Sequence, residues 1–89
     1  MSPTYQRHPD LRLAAVDGEG VVLHLGSRRY FSVNETGVTI LEALREPCTL
    51  AELVVAVTRE YEVDDAEAER TARDFLERCL EVALVTEAR

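Results

Sequence analysis

The sequence predicts an α+β domain: a three-stranded antiparallel sheet followed by three helices. Three observations carry this. Apolar residues alternate with period two up to residue 33 and recur with helical spacing afterwards. Short Gly-containing turns separate the early runs. Three helix-start signals, at Asn34, Thr49 and Asp64, divide the second half. Runs of strands followed by runs of helices form α+β domains.

The first strand-like run is Leu11-Arg12-Leu13-Ala14-Ala15-Val16. Asp17-Gly18-Glu19-Gly20 supplies turn chemistry after it. The second run, Val21-Val22-Leu23-His24-Leu25, places Val21, Leu23 and Leu25 on one face and turns His24 toward solvent. Gly26-Ser27 marks the next turn. The third run, Arg29-Tyr30-Phe31-Ser32-Val33, sets Phe31 and Val33 on one face and Tyr30 and Ser32 on the other. Residues Met1 to Pro9 are polar and are expected to be loose, His8 among them. The ordered core is expected over residues 11–86 of one domain spanning 1–89.

Asn34 caps a first helix carrying Val38, Ile40, Leu41 and Leu44, and Pro47 ends that segment. Thr49-Leu50-Ala51-Glu52 reads as a capping box for a second helix carrying Leu50, Leu53, Val54 and Val57. Asp64-Asp65-Ala66-Glu67 opens a third and longest helix, to about Ala83. Its apolar stripe is Ala68, Ala72, Phe75, Leu76, Cys79, Leu80 and Ala83. Leu84-Val85-Thr86 reads as a short extended tail. Three helices with a small sheet also describe a winged helix-turn-helix.

The chain has 89 residues, 46% of them apolar, and a formal net charge of −7. That size fits one domain, and that apolar fraction supports a packed core. The 10 basic residues are all Arg, against 17 acidic ones. The acidic balance argues against nucleic acid, whose binding draws on phosphate neutralisation, and against anionic membranes. No apolar run approaches the roughly 18 residues of a membrane helix, and the N-terminus lacks the shape of a signal peptide. The expected location is cytoplasmic.

No catalytic pattern emerges. No serine lies in a nucleophile-elbow context. Cys48 and Cys79 form no zinc pattern with His8 or His24 and are expected to be buried, reduced thiols. Asp64, Asp65, Glu67 and Glu69 read as a solvated helix start. The chain is expected to be a non-enzyme with no cofactor and no metal.

Binding chemistry concentrates in the third run. Arg28 and Arg29 lead into Tyr30, Phe31, Ser32 and Val33, a segment of strong β-propensity without Pro. On an open sheet edge such a strand is a template for an extended peptide. The third helix supplies a second wall. Phe75 serves core or pocket, and Arg70, Arg73 and Arg78 pair either with a bound peptide's acidic groups or locally with Glu67, Glu69, Asp74 and Glu77.

The segment Arg29-Tyr30-Phe31-Ser32-Val33-Asn34-Glu35-Thr36-Gly37 resembles the RYF-x-(L/V)-N-E-T-G signature of PqqD-like proteins, the RiPP recognition elements. Ile40-Leu41-Glu42-Ala43-Leu44, Thr49-Leu50-Ala51-Glu52-Leu53, Phe75-Leu76 and Leu84-Val85 extend the likeness from about Leu11 to Val85. It is nearest to the stand-alone leader-binding proteins of lasso-peptide clusters. The resemblance implies capture of a precursor's leader peptide by strand addition to the third strand, in a groove against the third helix. It implies delivery to a leader peptidase, a cysteine protease expected on a separate chain, and to a macrocyclase. The implied peptide-binding residues are Arg28, Arg29, Tyr30, Phe31, Ser32, Val33, Asp74, Phe75 and Arg78. Two other readings compete: a winged-helix DNA-binding regulator, disfavoured by the carboxylates that open the second and third helices, and a structural subunit that binds only a folded partner.

Overall fold

A computed structural model describes residues 2–88. Strands β1 (Thr4–Arg7), β2 (Leu11–Val16), β3 (Glu19–His24) and β4 (Arg29–Val33) come first. Helices α1 (Glu35–Ala43), α2 (Leu50–Glu60) and α3 (Asp65–Glu81) follow, and β5 (Val85–Ala88) closes the chain. The architecture is the expected α+β one: β2, β3 and β4 form a three-stranded antiparallel meander, followed by three helices in a winged helix-turn-helix-like arrangement.

The β2–β3 turn is two residues long. Asp17 and Gly18 both take positive φ, 52° and 83°, the type I′ geometry that matches strand twist. The strand pair therefore closes at Val16–Glu19, and Gly20 lies inside β3 rather than in the turn. This reverses the expected faces of the strand. Gly20, Val22 and His24 point inward, while Val21 and Leu25 are 49% and 44% exposed. The reason is close packing: a Cβ on Gly20 would lie 2.6 Å from Val38 Cγ2 and 2.9 Å from Val33 Cγ2. The missing side chain lets the sheet approach α1. His24, expected to face solvent, is buried; its Nδ1 accepts from Ser27 N–H at 3.2 Å and its ring lies 4.6 Å from that of His8.

The N-terminal residues are not a loose arm. β1 pairs antiparallel with β5, from Thr4–Ala88 to Arg7–Val85. On its other side Tyr5 exchanges backbone hydrogen bonds with Cys48 at 2.7 and 2.9 Å. His8 N–H donates to Leu84 C=O at 2.9 Å. β1, and β5 through it, is thus tied to the α1–α2 connection.

The helix starts follow the cap signals. Asn34 Oδ1 accepts from Gly37 N–H at 2.9 Å, and Asp64 Oδ1 accepts from Glu67 N–H at 2.7 Å. Thr49 and Glu52 form the reciprocal capping box, at 2.8 and 3.2 Å. Each such cap contributes about 1 kcal/mol. The core gathers Val22 from the sheet, Ile40, Leu41 and Leu44 from α1, Leu53 and Val57 from α2, and Ala68, Ala72, Leu76 and Cys79 from α3. A fully buried side chain of the larger kind contributes roughly 1.5–3 kcal/mol.

Helix α3 stops at Glu81, two residues short of the expected end. Leu84 N–H reaches Cys79 C=O at 2.9 Å and Ala83 N–H reaches Leu80 C=O at 3.3 Å, the two bonds of a Schellman ending. Ala83 occupies the left-handed position, φ 60°, and is exposed instead of belonging to the apolar stripe. This corner turns Leu84 and Val85 back under the sheet, where they are 3% and 2% exposed. Among the described residues no helix is long and apolar enough to cross a membrane.

Candidate functional site

Strand β4 is an outer strand of the β2-β3-β4 sheet. Which of its backbone groups are free follows from the hairpin. A two-residue turn makes its flanking pair, Val16–Glu19, a hydrogen-bonded one, and such pairs alternate along an antiparallel ladder. Glu19, Val21 and Leu23 therefore aim their N–H and C=O at β2. The bond from Leu25 N–H to Asp10 C=O, 3.0 Å, continues this phase. Gly20, Val22 and His24 aim at β4, where they face Val33, Phe31 and Arg29. The remaining β4 residues, Tyr30 and Ser32, direct their backbone groups away from the sheet. The edge thus offers donors and acceptors at alternate positions.

Beside that edge runs a groove of about 590 Å³. One wall is Phe31, Ser32, Val33 and Asn34; the other is Phe75, Arg78, Cys79, Glu81 and Val82 of α3 and its end, with Leu84 from the following corner. Phe75, Arg78, Cys79 and Val82 recur at helical spacing and so share one flank of α3. The Phe75 ring is half-buried and packs over Gly37 in the first turn of α1: a Cβ there would lie 2.8 Å from Phe75 Cε1. Arg29 holds its guanidinium over the Phe31 ring, 5.5 Å from the centroid, a cation–π contact that fixes a charge near the groove. Burial pushes the Cys79 thiol up to about 11, against the opposing charge of Arg78. At neutral pH the groove therefore contains a protonated thiol.

Of the nine residues singled out in the sequence, Phe31, Ser32, Val33, Phe75 and Arg78 line this groove. Arg29 stands beside it on the same face as Phe31. Tyr30 is 72% exposed on the opposite face of the sheet, and its backbone, not its ring, belongs to the edge. Arg28 sits in the β3–β4 loop with φ 56°. Asp74 lines an adjoining depression with Glu77 that shares Arg78 and Glu81 with the groove. Arg73 pairs with Glu69 one turn away, the local alternative. Sequence reasoning did not single out Asn34, Cys79, Glu81, Val82 or Leu84 as groove residues. The i, i+4, i+7 spacing from Phe75 could have found Cys79 and Val82; Leu84 could be found only by knowing the corner.

The family model for coenzyme PQQ synthesis protein D (PqqD) matches residues 19–85. The chain belongs to the PqqD family of RiPP recognition elements. Two solved structures are similar to this PqqD-family chain. The structure of TbiB1 in complex with the TbiA(beta) leader peptide is 34% identical, over 90% of this chain and 93% of that one, with a TM-score of 0.79. Lasso peptide synthetase B1 complexed with the leader peptide is 26% identical, over 92% of this chain and 96% of that one, with a TM-score of 0.76. No curated protein matches the chain in sequence. The PqqD-family match begins at Glu19 and so spans β3, β4 and all three helices, the elements that build the edge and the groove.

Proposed function

We propose that this PqqD-family protein binds, without catalysing a reaction, the leader segment of a ribosomally synthesised precursor peptide. The leader adds as a strand to β4, pairing with the backbone of Tyr30 and Ser32. Its alternate side chains enter the groove between β4 and α3. The single observation that carries this reading is the outer position of β4 directly beside an apolar groove. Strand addition draws affinity from main-chain bonds and specificity from pockets under alternate side chains. Phe31, Val33, Phe75 and Leu84 supply apolar contact, while Arg29 and Arg78 supply charge for acidic leader residues. The two similar structures, each a leader-peptide complex, support the same reading.

The bound leader is then handed to a leader peptidase of the cysteine-protease class and to a macrocyclase, as lasso-peptide assembly requires. The test is calorimetric titration of the purified chain with a synthetic leader peptide. The expected dissociation constant lies in the range of roughly 10 nM to a few µM, because ordering the peptide offsets much of the contact energy. Absence of binding at 100-fold higher concentration, with the fold intact by circular dichroism, would refute leader capture.

A further inference from the structure

A second surface stands at the opposite side of the sheet. A pocket of about 350 Å³ is built from β1, the start of β2, the residue after α1's last turn, and β5. Three of the chain's 10 arginines converge on it: Arg7, Arg12 and Arg45. Among the described residues none of the three forms an ion pair with a carboxylate. Two of them, Arg7 and Arg12, are anchored by backbone carbonyls instead. Arg7 Nη1 donates to Leu41 C=O at 3.4 Å, and Arg12 Nη1 donates to Pro9 and Leu11 C=O at 3.2 and 2.9 Å. Such bonds hold guanidinium groups in place without neutralising them. Burial, and next the charge of Arg45, lower the pKa of Arg7; the opposing pull of Glu42 is weaker than that of Arg45. Gathering like charges in this way costs stability, yet it occurs in a chain whose net charge is −7.

We propose that this arginine pocket docks a short acidic segment of a partner polypeptide. Unpaired guanidinium groups, two of them held by backbone carbonyls, match carboxylates bidentately, and the spread of the three over separate segments suits several carboxylates rather than one. A long polyanion such as nucleic acid is disfavoured by the negative field of the rest of the molecule. The pocket shares no lining residue with the β4–α3 groove, and it lies toward β2, the sheet edge opposite β4. Both sites can be filled together, so the pocket provides a docking point for a partner while the β4 edge stays occupied.

The experiment uses the full ¹⁵N-labelled chain at low salt with an acetylated hexaglutamate peptide as probe. The expected result is saturable shifts at the amides of Arg7, Arg12 and Arg45, with those of Phe31 and Phe75 unmoved. Loss of these shifts in R45E and in the milder R45Q, and their retention in R70E on α3, support the assignment. A well-dispersed amide spectrum in each variant establishes folding. Four outcomes overturn the proposal: unchanged shifts in R45E; equal shifts with inorganic phosphate at matched charge, which make this a small-anion site; tighter binding of a DNA duplex; or self-association lost in R45E, which makes the occupant a second copy. Because leader titration reads the other surface, failure here leaves the leader reading untouched.

Discussion

At the scale of single residues, two positions govern how the groove is shaped. Gly37 permits the Phe75 ring to lie against α1, where an added Cβ would meet it at 2.8 Å. The atom in the way is the far end of a side chain, so the ring moves rather than the backbone. Ala at a helical position also gains up to about 1 kcal/mol of propensity over Gly. G37A should therefore keep stability within about 1 kcal/mol of the parent while displacing Phe75, and leader affinity should fall several-fold. Urea melts and titration on the same sample separate the two effects. Cys79 is the second position. Its thiol is held protonated by burial up to about pH 11. A thiol whose folded pKa is raised contributes stability that is complete below the unfolded value and disappears as pH rises through the folded one. Stability should accordingly decline between about pH 9 and 11, and less so in C79A. At pH 8 a maleimide should label half-buried Cys48 before Cys79, as intact-mass spectrometry with peptide mapping would read.

At the scale of elements, β4 is a strand with two unlike rows of backbone groups. Arg29, Phe31 and Val33 use theirs to hold β3, and Tyr30 and Ser32 present theirs outward. Proline lacks the donor and tolerates only positions that do not need it. S32P should leave the sheet folded and weaken leader binding by about tenfold or more, the effect of one lost hydrogen bond plus a blocked approach. F31P, one residue away, removes a ladder donor and should destabilise the domain itself. Equal leader affinity for S32P and the parent, by calorimetry, would rule out pairing along this edge. The two rows were partly legible in the sequence: alternation separated Phe31 and Val33 from Tyr30 and Ser32. Their backbone phase was not, because it depends on where the neighbouring turn closes.

The helices were the most readable elements. Asn34, Thr49 and Asp64 each signal a start through a side chain that bonds a backbone N–H three residues on. That chemistry is local, so no tertiary contact is needed to predict it. The end of α3 was harder. Ala83 takes a left-handed conformation that usually belongs to Gly, and an alanine there looks like a continuation of the helix. Only the docking of Leu84 and Val85 into the core holds that residue in place.

At the scale of the whole molecule, β1 acts as a strap. It joins β5, the α1–α2 connection through Tyr5 and Cys48, and the end of α1 through the bond from Arg7 N–H to Leu44 C=O at 2.9 Å. A domain of this size has little stability to spare. Removing residues 1–7 should lower unfolding free energy by several kcal/mol, since it exposes Val85 and uncouples β5. The urea midpoint measures this, and leader binding should fall with it because Leu84, which lines the groove, loses its support. An unchanged midpoint would show that β1 contributes nothing to the fold.

Taken by itself, the sequence determined what depends on near neighbours: a turn within Asp17-Gly18-Glu19-Gly20, though not where it closes, three capped helix starts, the alternation of β4 and the arginine-led strand signature. These were decided within a few residues by φ preferences and short-range hydrogen bonds. Tertiary structure alone decided the rest. β1 meets β5 across nearly the whole chain, with Gln6 and Thr86 80 positions apart, and polar strands carry no mark of such a partner. The inward face of β3 was set by the fit of Gly20 against Val33 and Val38, and the depth of the groove by Phe75 resting on Gly37. Each is a contact between remote segments, where packing outweighs the local pattern.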